Sequence, residues 1–141
     1  MAETQRLLTG RSSEFFDNPR YKYLFGRSAG VPGGGTLQLF AVGQTLTGFR
    51  VVRPGLITAL SLHTNVGDAV RSYSLQVFIN GVLSTAVLAF PAGGGNSQQT
   101  VALATAVVAG DIITVFLVRT AGAGASTFGD EEALVEITER P

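Results

Sequence analysis

Among the side chains that could do chemistry, the one histidine, His63, comes first, with Ser61 two residues before it and Asp68 five after. A nucleophilic triad needs the hydroxyl within hydrogen-bond reach of one imidazole nitrogen and the acid on the other. No serine in the chain lies in the Gly-x-Ser-x-Gly setting of a nucleophile elbow, so the trio reads as a coincidence of composition. With no cysteine and no second histidine there is no ligand set for a transition metal, and His63 reads as a strand-end or partly buried histidine. Asp130-Glu131-Glu132 could offer carboxylates to Ca²⁺, but the regular spacing of a calcium loop is missing and a solvated acidic turn is expected. Gly33-Gly34-Gly35-Thr36 lacks the Gly-Lys-Ser/Thr ending of a phosphate loop and reads as a hinge. No catalytic residue, cofactor or metal site is therefore expected, and the chain does not read as an enzyme.

The elements that would position these residues are short strands. Tyr73, Leu75, Val77 and Ile79 alternate with Ser74, Gln76 and Phe78, Asn80-Gly81 follows, and Val82 to Phe90 is a second apolar segment. Alternation at period two closed by Asn-Gly predicts a β-hairpin with a type I′ turn, because both central residues need positive φ. Earlier, Leu37, Leu39 and Ala41 alternate with Gln38 and Phe40, Gly43-Gln44 turns, and Phe49 to Val52 is a short strand ending at Arg53-Pro54-Gly55. In Leu56 to Thr64 the pattern puts Leu56, Leu60 and Leu62 on one face and Ile57, Ala59, Ser61 and His63 on the other. Ala133 to Thr138 makes a closing strand. About eight strands separated by glycine, proline and asparagine turns, with no long helix, predict an all-β, eight-stranded jelly-roll sandwich.

Ile112 to Val118 departs from this alternation, being apolar at nearly every position. A strand in a two-layer sandwich with one wet face should be polar at every second residue. Continuous apolarity implies cover on both sides, and in a single domain the second cover has to come from a partner.

Composition leans the same way. The chain has 141 residues, of which 14% are charged, against about 25% in an ordinary soluble domain. So little charge leaves a small domain short of polar cover and points to surface buried against other molecules. Net charge is zero, which argues against nucleic acid as a partner. No window has the length or apolarity of a signal peptide or membrane span, so neither a leader nor a membrane partner is expected. The basic residues are nine arginines and Lys22. Arginine suits interfacial ion pairs better than lysine does, and the bias also fits a GC-rich or thermophilic source and a thermostable chain.

Residues 1–35 differ from the rest. They carry five basic and three acidic groups and five aromatics, and they end in the breaker run Gly30-Val31-Pro32-Gly33-Gly34-Gly35. Asn18-Pro19 stops any long helix. The stretch reads as an extended N-terminal arm (1–35) ahead of a β-domain (36–141). Aromatics at this density do not suit a solvated tail. The arm is expected to pack on its own domain or on a neighbour through Arg6, Arg11, Phe15, Phe16, Arg20, Tyr21, Tyr23, Phe25 and Arg27.

The order of strand, Asn80-Gly81, strand, Gly-rich loop, Leu103, Val108-Ala109-Gly110-Asp111-Ile112-Ile113-Thr114-Val115, and a last strand after Phe128-Gly129 resembles the C1q and tumour-necrosis-factor type of jelly roll over about Thr36 to Thr138. The resemblance implies a homotrimer with Ile112, Ile113, Val115, Phe116, Leu117 and Val118 near its centre. Trimeric β-domains of this kind serve as decoration (cement) proteins on the capsids of tailed phages, and the arm is similar in design to the lassos by which some of them grip the shell. The expectation is a virion protein on the capsid surface, with the major capsid protein or another virion protein as partner. The alternative is a trimeric fibre-tip or lectin-like domain, binding a glycan or receptor through the loops at Asn65 to Asp68 and Gly122 to Ser126.

Overall fold

The computed structural model describes residues 20–27, 30–41 and 48–140. Among these there is no helix, and the chain is all-β, a jelly-roll sandwich of ten antiparallel strands. They are β1 (Arg20–Arg27), β2 (Thr36–Ala41), β3 (Gly48–Arg50), β4 (Gly55–Thr64), β5 (Ser72–Ile79), β6 (Val82–Phe90), β7 (Ser97–Thr100), β8 (Thr105–Val107), β9 (Ile112–Ala121) and β10 (Glu131–Glu139). The ten occupy eight lanes in the order β6-β5-β9-β2-β1-β10-β4-β7. β3 continues the β2 lane along β9, and β8 continues the β7 lane along β4. One leaf of the sandwich is β6, β5, β9 and β2/β3; the other is β1, β10, β4 and β7/β8.

β2 belongs to both leaves. Its first four residues pair with Leu39's partner Val115 through Val118 on β9, while Phe40 and Ala41 pair with Gly26 and Phe25 on β1. On the opposite side the hydroxyls of Thr85 on β6 and Thr105 on β8 meet at 2.7 Å. The inner faces supply the core: Leu37 and Leu39 (β2), Tyr73, Leu75 and Val77 (β5), Ile113, Val115 and Leu117 (β9) face Phe25 (β1), Ile57, Leu60 and Leu62 (β4), and Ala133, Val135 and Ile137 (β10). The β5–β6 hairpin turns as its sequence requires, with Asn80 at φ 52° and Gly81 at φ 80°.

The structure corrects three expectations. Residues 20–27 are not arm: they form β1, paired along its length with β10, and Phe25 is fully buried. Tyr23 packs on Phe49 at 5.0 Å, and the Arg27 guanidinium lies 4.9 Å over the Phe40 ring. The first nineteen residues, with Arg6, Arg11, Phe15 and Phe16, lie outside the described residues, as does the Gly43-Gln44 turn. Gly33 to Thr36 is a braced turn rather than a hinge: Gly35 N–H donates to the Pro32 carbonyl, and Arg119 grips the Gly33 and Gly35 carbonyls. In β4 a bulge at Thr58 shifts the phase, so Ile57 points inward with Leu60 and Leu62 while Leu56 points outward.

Candidate interaction surfaces

β9 decides what surface the chain offers. Its odd positions Ile113, Val115 and Leu117 are fully buried inside the domain's own sandwich, so these three members of the expected trimer seam serve the core and cannot meet another molecule. Its even positions, Ile112, Phe116 and Val118, are on the outer face and remain partly exposed, Ile112 at 40%. The pairing sets their neighbours. Gln76 on β5 and Gln38 on β2 flank Phe116, and Phe78 lies diagonally beside it with ring centroids 5.0 Å apart, edge to face. Val87 on β6 continues the Gln76 row, and Leu83 lies opposite Phe78. The outcome is an outward apolar strip, Val87, Leu83, Phe78, Phe116, Val118 and Ile112, on a sheet whose other side already has its core. The two-sided apolarity of the sequence thus has two covers of different kinds: the domain itself inside, and nothing in this chain's described residues outside. Phe78, Leu83 and Val87 were not singled out in the sequence, although Phe78 and Val87 each fall on the alternate phase to a buried neighbour.

The end of the sandwich near Asp68 is built differently. Asp68 is 1% exposed, and its carboxylate accepts from the Val70 and Arg71 N–H groups (3.0 Å each), the Tyr73 hydroxyl (2.8 Å), the Arg71 guanidinium (3.2 Å) and the Thr127 N–H (3.3 Å). Burial alone would push this carboxyl up, and the donors outweigh it and hold the group well below the usual carboxylate range. The Tyr73 hydroxyl is pushed up by burial and by the carboxylate it binds. Through this hub the Asn65–Asp68 and Gly122–Ser126 loops converge: Thr127 Oγ1 donates to the Gly67 carbonyl, Arg71 Nε to the Ala123 carbonyl, and Gly129 N–H to Asn65 Oδ1. Phe128, 2% exposed, plugs the sandwich beneath them between Tyr73 (4.9 Å) and Phe90 (6.0 Å). The two loops are thus held by residues that flank them, Arg71, Thr127 and Gly129.

The residues considered for catalysis do not assemble. Ser61 and His63 project from the outer face of β4 toward solvent, while Asp68 is sealed in its own network. The expected acidic turn at 130–132 is instead the entry to β10. Glu131, buried, and Glu132, exposed, are successive residues of the strand and point to opposite faces. Among the described residues no group of three or more metal-ligating side chains converges.

No family model and no curated protein sequence matches the chain. Solved structures similar to it include the CBM36-1 domain of a multidomain xylanase from the hindgut metagenome of Trinervitermes trinervoides, at 11% identity and a TM-score of 0.43, covering 83% of this chain and 96% of that one. Murine APRIL matches at 17% identity and a TM-score of 0.41, covering 82% of this chain and 98% of that one. The catalytic unit of a thermostable GH87 alpha-1,3-glucanase from Streptomyces thermodiastaticus matches at 15% identity and a TM-score of 0.42. There 87% of this chain is covered, and the chain spans 26% of the length of the glucanase unit.

Proposed function

We propose that this chain is a structural protein, a jelly-roll subunit that associates into a homotrimer through the outer face of the β9 leaf, and that the assembly decorates and cements a virion capsid. The observation that carries the self-association is the strip around Phe116 and Phe78. A sheet with a complete core beneath it presents apolar side chains on top, the Phe78 and Phe116 rings in contact among them with Gln38 and Gln76 at their flanks, and such a face suits being covered. Covering it releases about 25 cal/mol for each Å² of apolar area removed from water, repeated at every identical contact. The virion reading rests on the sequence: the scarcity of charge, the preference for arginine, and the Arg6, Arg11, Phe15 and Phe16 set that precedes β1. A glycan-binding module would need free polar and aromatic groups at the Asn65–Asp68 end, where the Arg71 and Thr127 side chains are already bonded to the Ala123 and Gly67 carbonyls and Asn65 Oδ1 accepts from the Gly129 N–H.

Sedimentation velocity at micromolar concentration tests the reading on the wild-type chain and on a Phe78→Glu/Phe116→Glu variant. The wild type is expected to run as a trimer and the variant as a monomer with an unchanged circular dichroism spectrum. A wild-type monomer overturns the proposal.

A further inference from the structure

The other end of the sandwich from Asp68 holds a pocket of about 240 Å³. β1 supplies Tyr21 and Tyr23, two residues apart and therefore on one face of the strand. β10 supplies Ile137, which is paired with Tyr21, and Glu139 at its last position, and the turn after β3 supplies Val52 and Arg53. Ile137 is an apolar floor at 2% exposure, whereas Tyr21 at 43% and Val52 at 75% stand at the mouth. The Tyr23 ring is braced against Phe49, with centroids 5.0 Å apart. Pockets that enclose drug-sized ligands run to about 300–1,000 Å³, so this one suits a single small ring.

Its polar groups sit together. Glu139 is buried; its Oε1 accepts from the Arg53 guanidinium at 3.1 Å and its Oε2 from the Tyr21 hydroxyl at 3.2 Å. Each carboxylate oxygen keeps a second lone pair, and the Arg53 side chain, 66% exposed, gives Glu139 one bond out of a fork with several donors. Among the described residues the partly buried Tyr23 hydroxyl has no hydrogen-bond partner. Burial, and after it the neighbouring Tyr21, push this hydroxyl up, so it stays neutral and can both donate and accept. The Arg53–Glu139 pair is neutral as a unit, and an ionic ligand of either sign would meet a like charge beside the opposite one. A neutral ligand meets no such penalty. An acceptor and a donor side by side match two adjacent hydroxyls, one giving its proton to the carboxylate and the other accepting from the guanidinium. The tyrosine rings and Val52 match the C–H face of a saturated ring. The small molecule that carries both characters in one ring is a pyranose.

We infer that this pocket binds a neutral hexopyranose, free or as the terminal residue of a glycan, with a tyrosine ring against its C–H face and two adjacent hydroxyls on Glu139 and Arg53. The inference goes beyond the virion reading and does not depend on the oligomeric state.

The full chain, labelled in its isoleucine and valine methyl groups, is titrated with the methyl α-glycosides of glucose, galactose and mannose into the tens of millimolar, with choline and benzoate as cationic and anionic probes. The Ile137 and Val52 signals are expected to shift on one saturating curve with a millimolar dissociation constant for at least one glycoside. Val66 and Val70, at the Asp68 end, are expected to stay in place, and their unchanged signals in the variants show that those are folded. Tyr21→Ala, made at the exposed mouth, is expected to weaken binding about tenfold through the lost ring contact. Glu139→Gln, which keeps the shape and removes the charged acceptor, is expected to weaken it as well. The matching free hexose separates the two sources: binding equal to that of its methyl glycoside supports a glycan end, and binding of the free hexose with little of the glycoside supports a free sugar. No saturable shift with any of these sugars, equal shifts at both ends of the sandwich, binding unchanged in both variants, or tighter binding of choline or benzoate than of every sugar overturns the inference.

Discussion

Removing the Asp68 carboxylate should disconnect one whole end of the sandwich. Asp68→Ala leaves five donors without their acceptor: the N–H groups of Val70, Arg71 and Thr127, the Arg71 guanidinium and the Tyr73 hydroxyl. A hydrogen bond to a charged group contributes about 1.5–3 kcal/mol, but water can replace the acceptor at the more open donors. It cannot easily do so at Tyr73, which is 1% exposed, or at the Arg71 guanidinium, whose side chain is only 18% exposed. Counting those two gives a loss of about 3–6 kcal/mol, which overlaps the range for breaking a buried pair on one side. Urea unfolding at pH 7, compared with the wild type, measures it. A loss below about 1 kcal/mol would refute the view that Asp68 organises this end. The pH dependence supplies an independent sign. The folded carboxyl titrates below its unfolded value of about 3.9, so its stabilisation is complete above about pH 5 and is lost as the pH falls through and below 4. The gap between the wild type and Asp68→Asn should accordingly narrow on acidification, and a gap that is constant down to pH 2 contradicts the assignment.

Two neighbours on β9 should behave oppositely in thermal melts of the monomeric Phe78→Glu/Phe116→Glu background and of the wild type. Leu117→Ala, made in a fully buried position, should cost about 2–5 kcal/mol in either, whereas Phe116→Ala in the wild type should lower association with little change in the monomer's own stability. At the hairpin tip, Gly81→Ala places a Cβ on a residue at φ 80°, where nothing crowds it but the backbone is unfavourable. A loss of about 1–2 kcal/mol by denaturant titration is expected.

Much of the fold was legible because its signals are local. The alternation from Tyr73 to Ile79 and the Asn80-Gly81 pair carried both strands of the hairpin and the turn between them. β1 was missed because the glycine run at 30–35 looks like a boundary, yet Tyr21, Tyr23 and Phe25 alternate with Lys22 and Leu24, and that period was the available clue. What hid it is long-range: β1 is a strand by virtue of β10, more than a hundred residues away, and sequence order says nothing of such a partner. The phase of β4 was misread at Leu56 and Ile57 because the bulge that follows them adds a residue that alternation does not announce. For β9 the domain's own core takes Ile113, Val115 and Leu117, and a run of apolar residues cannot say which half faces home. The Asp68 hub was illegible for a related reason, since its donors come from residues 70 to 73 and from Thr127, which meet only once the loops are closed.

The double membership of β2 gives the sandwich a bound spine. Along that side the leaves are continuous through backbone hydrogen bonds, from Val118 across Leu39 and Phe40 to Gly26. Along the other side a threonine pair, Thr85 and Thr105, bridges two lanes that do not otherwise share a ladder. A body so made is expected to open like a book, from the β6 and β8 fore-edge about the β2 spine, and whatever clasps that margin from outside should stiffen the whole volume.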